Sequence, residues 1–104
     1  MRGMELLHVQ GGRRVAGAIT GFVRVEAGLA FPEHEHLGEE AVLIVAGRCE
    51  DAGRIHQPGD LVRMPAGSRH SFRVCPGPDL VYLAVVQRGL RIGERVLSAT
   101  DPNA

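Results

Sequence analysis

Residues 28–47 read GLAFPEHEHLGEEAVLIVAG, and the expected architecture of the whole chain follows from this stretch. His34 and His36 are two residues apart in a segment that favours a strand, where side chains alternate between the two faces. Both imidazoles therefore point the same way and can grip one ion. Glu40 follows a reversal at residues 37–39, which places its carboxylate on the next strand beside the two rings.

A second stretch, residues 59–74, reads GDLVRMPAGSRHSFRV. His70 opens another strand here, after the turn residues Pro65, Ala66 and Gly67. Three neutral imidazoles and one carboxylate form a borderline nitrogen and oxygen site, suited to Zn, Fe, Mn or Ni. Such a set leaves one or two positions of the ion open, as in sites that carry out chemistry. A lone His-x-His pair is more often an exposed surface pair than a ligand pair, so the residues around it determine which interpretation applies.

Glycines and a proline surround these candidate ligands at fixed spacings. The patterns are Gly28-x5-His34-x-His36-x3-Glu40-x6-Gly47 and Gly59-x5-Pro65-x-Gly67-x2-His70. They resemble the two motifs of the cupin superfamily, except that Val74 stands where the second motif usually ends in Asn. The resemblance is to a small single-domain, cupin-2-like protein. It implies an all-β fold, a double-stranded antiparallel β-helix or jelly-roll barrel, with an ion held inside by His34, His36, Glu40 and His70.

A narrower resemblance starts from the run between His34 and Glu40, followed by Gly47 and by the turn at residues 51–53. These residues are similar to the cupin-like domain of zinc-binding anti-sigma factors and of their free-standing bacterial relatives. Those anti-sigma factors carry a separate helical, zinc-binding domain before the barrel. We do not expect the residues before Arg13 to form such a domain. The resemblance therefore implies a related barrel without implying sigma binding.

The rest of the chain consists of short apolar stretches separated by Gly, Pro or Asp, which is typical of sandwiches and barrels. The predicted strands are Val15–Val25, Ala30–His36, Ala41–Val45, Asp60–Met64, His70–Val74 and Leu80–Gln87. We expect one domain over residues 1–104. The first eight residues and the tail Thr100–Ala104 are expected to be loosely held, and a helical turn is expected near Glu94–Ser98.

The composition excludes several classes of function. The 104 residues carry 12 basic and 12 acidic side chains, and zero net charge argues against a nucleic-acid partner. All basic residues are Arg, which excludes a Schiff-base or P-loop lysine. No apolar run approaches the roughly 20 residues that span a bilayer, and no secretory signal opens the chain, so we expect a cytoplasmic protein without a membrane partner. Cys49 and Cys75 are either two free thiols or a redox pair.

Strand alternation also predicts the wall of a pocket beside the ion. If His34 and His36 face inward, Pro32 does so too, and alternation selects four further apolar side chains, namely Val42, Ile44, Phe72 and Val74. Phe72 and Tyr82 are the possible pocket residues, although for Tyr82 core packing with its hydroxyl satisfied is the favoured interpretation. His56 has no motif partner and is assigned to the surface or a turn. The sequence identifies no catalytic residue.

Two functions from different classes fit this pattern. One is a metal-bound module that binds or senses a small-molecule ligand, which the scarcity of inward acid–base side chains favours. The alternative is a metal-dependent enzyme, a dioxygenase or a small lyase, in which the ion is the main reactive group. A barrel with a vestigial metal site is a third possibility. We also expect a homodimer that pairs through an edge strand, supplied by Val15–Val25 or Leu80–Gln87.

Overall fold

Residues 2–97 are described by the computed structural model, and they form eleven strands and one short 3₁₀ helix. All the strand pairs are antiparallel. The elements are β1 (Met4–His8), η1 (Arg13–Val15), β2 (Ile19–Val25), β3 (Ala30–His36), β4 (Glu40–Ala46), β5 (Cys49–Asp51), β6 (Arg54–His56), β7 (Leu61–Met64), β8 (Arg69–Val74), β9 (Leu80–Val86), β10 (Leu90–Ile92) and β11 (Arg95–Leu97).

The strands form two sheets that enclose one core. Sheet A has the order β1-β2-β9-β4-β7, and sheet B has the order β11-β10-β3-β8-β5-β6. The core side chains between them are Ile19, Val23, Val25, Ile44, Cys49, Val74, Leu80, Tyr82, Ala84 and Val86. Along β9 every second residue is buried, because one face of the strand packs inward and the other faces out. The all-β jelly roll implied by the cupin resemblance is confirmed.

All six predicted strands are present. Ala30–His36 has the predicted bounds, and four others differ by one residue at one or both ends. β2 begins at Ile19 instead of Val15, because the chain first forms η1 and then turns at Gly17, whose φ is +84°. Within residues 2–97 no helix is long and apolar enough to cross a bilayer.

Two expectations about the ends of the chain are wrong. The first residues are not loosely held, because Met4–His8 form β1 and pair with β2 at all five positions. The sequence of β1, MELLH, does not alternate apolar and polar residues because two leucines are adjacent, so alternation does not predict this strand. The helical turn expected near Glu94–Ser98 is instead the end of a hairpin between β10 and β11, turned at Gly93 with φ +59°. Ser98 and the tail Thr100–Ala104 lie outside the described residues.

The two strands expected to pair in a homodimer do not lie at a sheet edge. β2 lies between β1 and β9, and β9 lies between β2 and β4. Both sides of each strand are therefore already hydrogen-bonded within sheet A, which leaves neither free to add a strand from a second copy. The edges of sheet A are β1 and β7. The prediction that Val15–Val25 or Leu80–Gln87 supplies the edge strand of a homodimer is therefore wrong.

A β-bulge in β3 corrects the prediction that Pro32 faces inward. Phe31 pairs with Phe72 and His34 pairs with His70, so three steps along β3 match two steps along β8. Bulges accommodate proline, which has no N–H for the ladder. The extra residue turns Phe31 inward beside His34, and the Phe31 ring stacks on Phe72 with centroids 4.9 Å apart. The other inward predictions hold, since Ile44 and Val74 are buried and Val42 and Phe72 line the interior.

Gly47 joins β4 to β5 at a point where no side chain fits. Its φ is +74°, in the left-handed region that favours glycine. A Cβ at this position would also lie 2.4 Å from the backbone oxygen of Asp79. The glycine of the first motif is therefore required both by its dihedral angle and by the close approach of the β8–β9 connection.

We expect Gly47→Ala to lower the free energy of unfolding more than Gly53→Ala does. Gly53 has a similar φ of +80° but open space around its missing Cβ. Gly53→Ala should therefore lower the free energy of unfolding by only about 1–2 kcal/mol, which is what a left-handed backbone conformation costs a residue with a Cβ. Gly47→Ala should cost about 1–3 kcal/mol more because the new methyl group collides with backbone. Urea unfolding of both variants measures the difference, and equal losses would contradict the crowding argument.

Candidate metal centre

The four candidate ligands meet at one point between the sheets. His34 and His36 come from β3, and His70 lies directly opposite His34 on β8. Glu40 is the first residue of β4, so the turn after His36 carries the chain from sheet B to sheet A. The ligand atoms all lie within 4.8 Å of one another. Bonds of about 2.0–2.2 Å to one ion place opposite ligands roughly 4 Å apart, so the cluster has nearly the required size.

These side chains are buried, and the protein leaves part of their hydrogen-bonding capacity unmet. The exposed fraction is 3% for His34, 0% for His36 and 6% for Glu40. Both ring nitrogens of His36, and Nε2 of His70, have no hydrogen-bond partner among residues 2–97. Each unpartnered buried polar atom costs about 1–3 kcal/mol, a cost that coordination to an ion would offset. The donor set therefore fits a divalent transition metal.

Hydrogen bonds from the other ring nitrogens orient two of the imidazoles. His34 donates its Nδ1–H to the carbonyl oxygen of Pro32 at 2.9 Å. His70 donates its Nδ1–H to Oδ2 of Asp51 at 2.6 Å. Both bonds leave Nε2 free to face the cluster. If an ion bound Nε2 of His70, the contact with Asp51 would fix the ring and increase its basicity, as carboxylates do for histidine ligands in metal sites.

Burial sets the charges of the cluster. It lowers the pKa of His36 to about 4, with the neighbouring His34 and His70 adding to the effect. It also lowers the pKa of His34, against the opposing hydrogen bond to Pro32. Neutral imidazole is the form that binds metal. Burial raises the pKa of Glu40 to about 7, so the 3.4 Å contact between His36 Nδ1 and Glu40 Oε1 is not an ion pair of two charged groups at neutral pH.

A cavity of about 50 Å³ adjoins the ligands, and we call it the metal-side cavity. Both possible pocket residues, Phe72 and Tyr82, line it. Burial raises the pKa of the Tyr82 hydroxyl, and it raises the pKa of the Cys49 thiol to about 11. Both groups therefore keep their protons at neutral pH. Cys49 and Cys75 are free thiols, as one of the two sequence interpretations expected.

Sequence reasoning missed two polar residues of this cavity. Asp51 had been interpreted only as part of a turn, and His56 as a surface or turn residue. Asp51 reaches His70 because β5 pairs with β8, and His56 lies opposite Cys49 on β6 and lines the metal-side cavity. The local hairpin of β5 and β6 indicates neither role, because it reaches the candidate ligands only when β5 pairs with β8, further along the chain.

Comparison with known families and curated sequences gives one match. The family described as the ChrR Cupin-like domain matches residues 2–88. No curated protein sequence matches the chain.

Several solved structures resemble the chain. A cupin-fold protein of unknown function from Ralstonia eutropha has a TM-score of 0.78 at 16% identity, covering 90% of this chain and 65% of that one. The complex of Rhodobacter sphaeroides SigE with the anti-sigma ChrR has a TM-score of 0.67 at 25% identity, and the match covers 81% of this chain and 44% of that one. The DMSP lyase DddQ from Ruegeria pomeroyi has a TM-score of 0.65 at 25% identity, and the match covers 86% of this chain and 50% of that one. The chain thus spans less than two thirds of each of these three matched chains.

Replacing Asp51 should weaken metal binding without removing a ligand. We expect Asp51→Ala to lower metal affinity by about 10- to 100-fold, because His70 loses the carboxylate that orients it. Asp51→Asn keeps a hydrogen-bond acceptor and should fall between Asp51→Ala and the wild type. Glu50→Ala is the matched control, since Glu50 is the exposed neighbour on the same strand. Competition with a chelator measures the affinities, and an Asp51→Ala affinity equal to that of Glu50→Ala would refute the role.

Metal affinity should fall as the pH is lowered below about 7. The Glu40 carboxyl, with its pKa of about 7, must lose its proton before it binds an ion. This group alone should therefore contribute about a tenfold loss for each pH unit between pH 7 and pH 5. His36 stays neutral in this range because its pKa is about 4. Chelator competition at several pH values should give a shallower dependence for Glu40→Gln, and identical slopes would contradict the assignment.

Proposed function

The chain belongs to the ChrR cupin-like family, and from that premise we propose that it is a metal-binding cupin that binds or senses a small molecule. In this proposal His34, His36, Glu40 and His70 hold one divalent ion, and the ligand enters the metal-side cavity. Zn, Fe, Mn and Ni all suit the donor set. The anti-sigma activity of ChrR is not carried over, because this chain covers only 44% of that structure. The cytoplasmic location stays a prediction.

The observation that carries the proposal is the convergence of unpartnered ring nitrogens on a buried carboxylate. Nε2 of His36 and Nε2 of His70 have no partner in residues 2–97, and Glu40 lies within 4.8 Å of both imidazoles. A purely structural core would place apolar side chains here, because burying unpartnered nitrogens lowers stability. The adjoining cavity of about 50 Å³ has room for a few waters or a small ligand.

The wall of the metal-side cavity favours binding over chemistry. Tyr82 and Cys49 stay protonated at neutral pH, and the carboxylate of Asp51 is engaged by His70. The chain therefore supplies few groups to move a proton. The ligands also come from both sheets, with Glu40 on sheet A and the histidines on sheet B. A molecule that alters the coordination would thus act directly on the contact between the sheets, which suits a sensing role.

The alternative is a metal-dependent enzyme, a dioxygenase or small lyase acting on a small organic substrate. His56 favours it, because this side chain lines the metal-side cavity without being one of the four candidate ligands and could serve as an acid or base. The similarity to the DMSP lyase DddQ, at 25% identity over 86% of this chain, supports a lyase within this alternative. A bound divalent ion would supply a Lewis acid or, for iron, an oxygen-binding centre.

Elemental analysis of protein purified without added metal or a metal-binding tag tests the proposed function. We expect about one divalent ion per wild-type chain and a loss of about tenfold or more in the content of His70→Ala, which removes one ligand. His8→Ala is the matched control, because His8 is an exposed histidine on β1. Unchanged metal content in His70→Ala would overturn the site and favour the vestigial barrel. Metal-dependent turnover or oxygen uptake in a metabolite screen would favour the enzyme, with His56→Ala expected to lose it.

We propose in addition that the homodimer forms through the outer face of sheet A. One residue on each strand of sheet A lies directly opposite one on the next strand, and together they form a row across the sheet. In the order β1, β2, β9, β4 and β7, these residues are Leu7, Phe22, Leu83, Leu43 and Leu61. Cross-strand neighbours share one face of a sheet, so these side chains form a continuous outer apolar row. Leu7 is 67% exposed and Leu61 is 59% exposed. Continuous exposed apolar surface of this kind marks an interaction site.

The charges beside the outer apolar row favour a second copy as its partner. Arg24 is paired with Glu5 and Asp79, and Arg63 is paired with Glu39. These charged side chains beside the row are therefore already neutralised by ion pairs within the chain, and they do not favour a partner of opposite charge. A row that crosses the whole sheet can meet its own copy about a two-fold axis, the commonest symmetry of homodimers.

Light scattering at micromolar concentrations tests the dimer. We expect a mass twice the 11.2 kDa of the chain for the wild type and a monomer for Leu43→Glu, which places a charge within the outer apolar row. Val96→Glu is the control, because Val96 is similarly exposed but lies on sheet B. A monomeric wild type would refute the dimer, and dimers in all three proteins would refute this interface.

A further inference from the structure

A second cavity of about 90 Å³ has Glu40 and Tyr82 in its wall, as the metal-side cavity does. We call it the apolar chamber. It lies between β1, β2 and β9 of sheet A and β10 and β11 of sheet B. Its wall consists mainly of aliphatic side chains, including Leu6, Ile19, Val23, Ala84, Ile92 and Leu97. Among the described residues, Glu40 and Tyr82 are the only ionisable groups in this wall.

The two cavities share one wall. Phe31, Glu40, Tyr82 and Leu90 line both of them. One of the shared residues, Glu40, is a candidate metal ligand. An ion held by Glu40 would therefore lie next to the apolar chamber, within reach of a molecule that extends from the ion into the chamber.

Small residues leave this space open. Gly21 on β2 and Ala84 on β9 are paired across the strands, and both line the chamber. The absence of a side chain at Gly21 is explained by the neighbouring strand, because a Cβ there would lie 2.5 Å from the backbone oxygen of Leu7. Ala84, which is buried, lines the open space directly. An apolar space without contents loses dispersion contacts, so a larger side chain at Ala84 would be favoured if packing alone mattered.

We propose that the apolar chamber holds the alkyl end of a ligand whose carboxylate head binds the ion, so that the ligand class is a short straight-chain monocarboxylate. This inference rests on the proposed function. Three neutral imidazoles and one carboxylate leave one net positive charge on a divalent ion, which an anionic head neutralises. The aliphatic wall accepts methylene groups and disfavours a polar or charged tail.

The chamber itself is tested without reference to the metal. Xenon enters dry apolar cavities, so methyl NMR of xenon-saturated protein should show shifts at Ile19 and Ile92 and none at Ile55, which is exposed on β6. Ala84→Leu fills the chamber and should remove these shifts. Ala16→Leu, at an exposed site before β2, is the matched control and should keep them. Absence of xenon shifts in the wild type would overturn the chamber.

The ligand class is tested by titrating metal-loaded protein with acetate, butyrate and hexanoate. We expect affinity to rise about fourfold for each added methylene group in the wild type and in Ala16→Leu. In Ala84→Leu the rise should be lost while acetate binds as before. Ile92→Phe fills the chamber from β10 and replaces Ala84→Leu if that variant does not fold. Equal affinity for all three acids, or no binding of any, would overturn the ligand class. Protein that lacks metal would refute the proposed function, whereas the xenon result would still stand.

Discussion

Three imidazoles and one carboxylate meet in the buried space between two sheets. Among residues 2–97, neither ring nitrogen of His36 has a hydrogen-bond partner, and Nε2 of His70 has none either. Burial, together with the neighbouring imidazoles, lowers the pKa of His34 and of His36 and keeps both rings neutral, and burial raises the pKa of Glu40 to about 7. The histidines belong to sheet B and Glu40 to sheet A. An ion at this point would therefore join the sheets where their contact is otherwise weakened by unpaired polar atoms.

One extra residue in β3 determines what surrounds the ligands. In a regular strand Phe31 and His34 would lie on opposite faces, because their offset is odd. The bulge between them turns both inward, so that a stacked pair, Phe31 on Phe72, lies next to the facing pair of His34 and His70. The aromatic wall of the metal-side cavity and the ligands thus share one face. Pro32 contributes its carbonyl oxygen, which orients His34.

Strand β9 connects the features of the interior with those of the surface. It lies in the centre of sheet A, and its alternation sends Tyr82 and Ala84 inward and Leu83 outward. Tyr82 lines both the metal-side cavity and the apolar chamber, and Ala84 lines the chamber. Leu83 is the middle residue of the outer apolar row. A central strand with both neighbours in place can do this because its backbone groups are fully paired and its two faces remain free for different tasks.

The sequence by itself determined a sandwich or barrel of short strands, the strand bounds around the motifs and the candidate ligands, because alternation and turn spacing operate over a few neighbouring residues. Most of the inward side chains, including Ile44 and Val74, followed from the same rule. The jelly roll followed from the resemblance of the two motifs to those of cupins. Only the tertiary structure decided that Phe31 replaces Pro32 in the wall, that Asp51 orients His70, and that β2 and β9 lie inside their sheet. Each of these depends on which distant strands pair and in which register, and register is set by the packing of the whole sheet rather than by any local pattern.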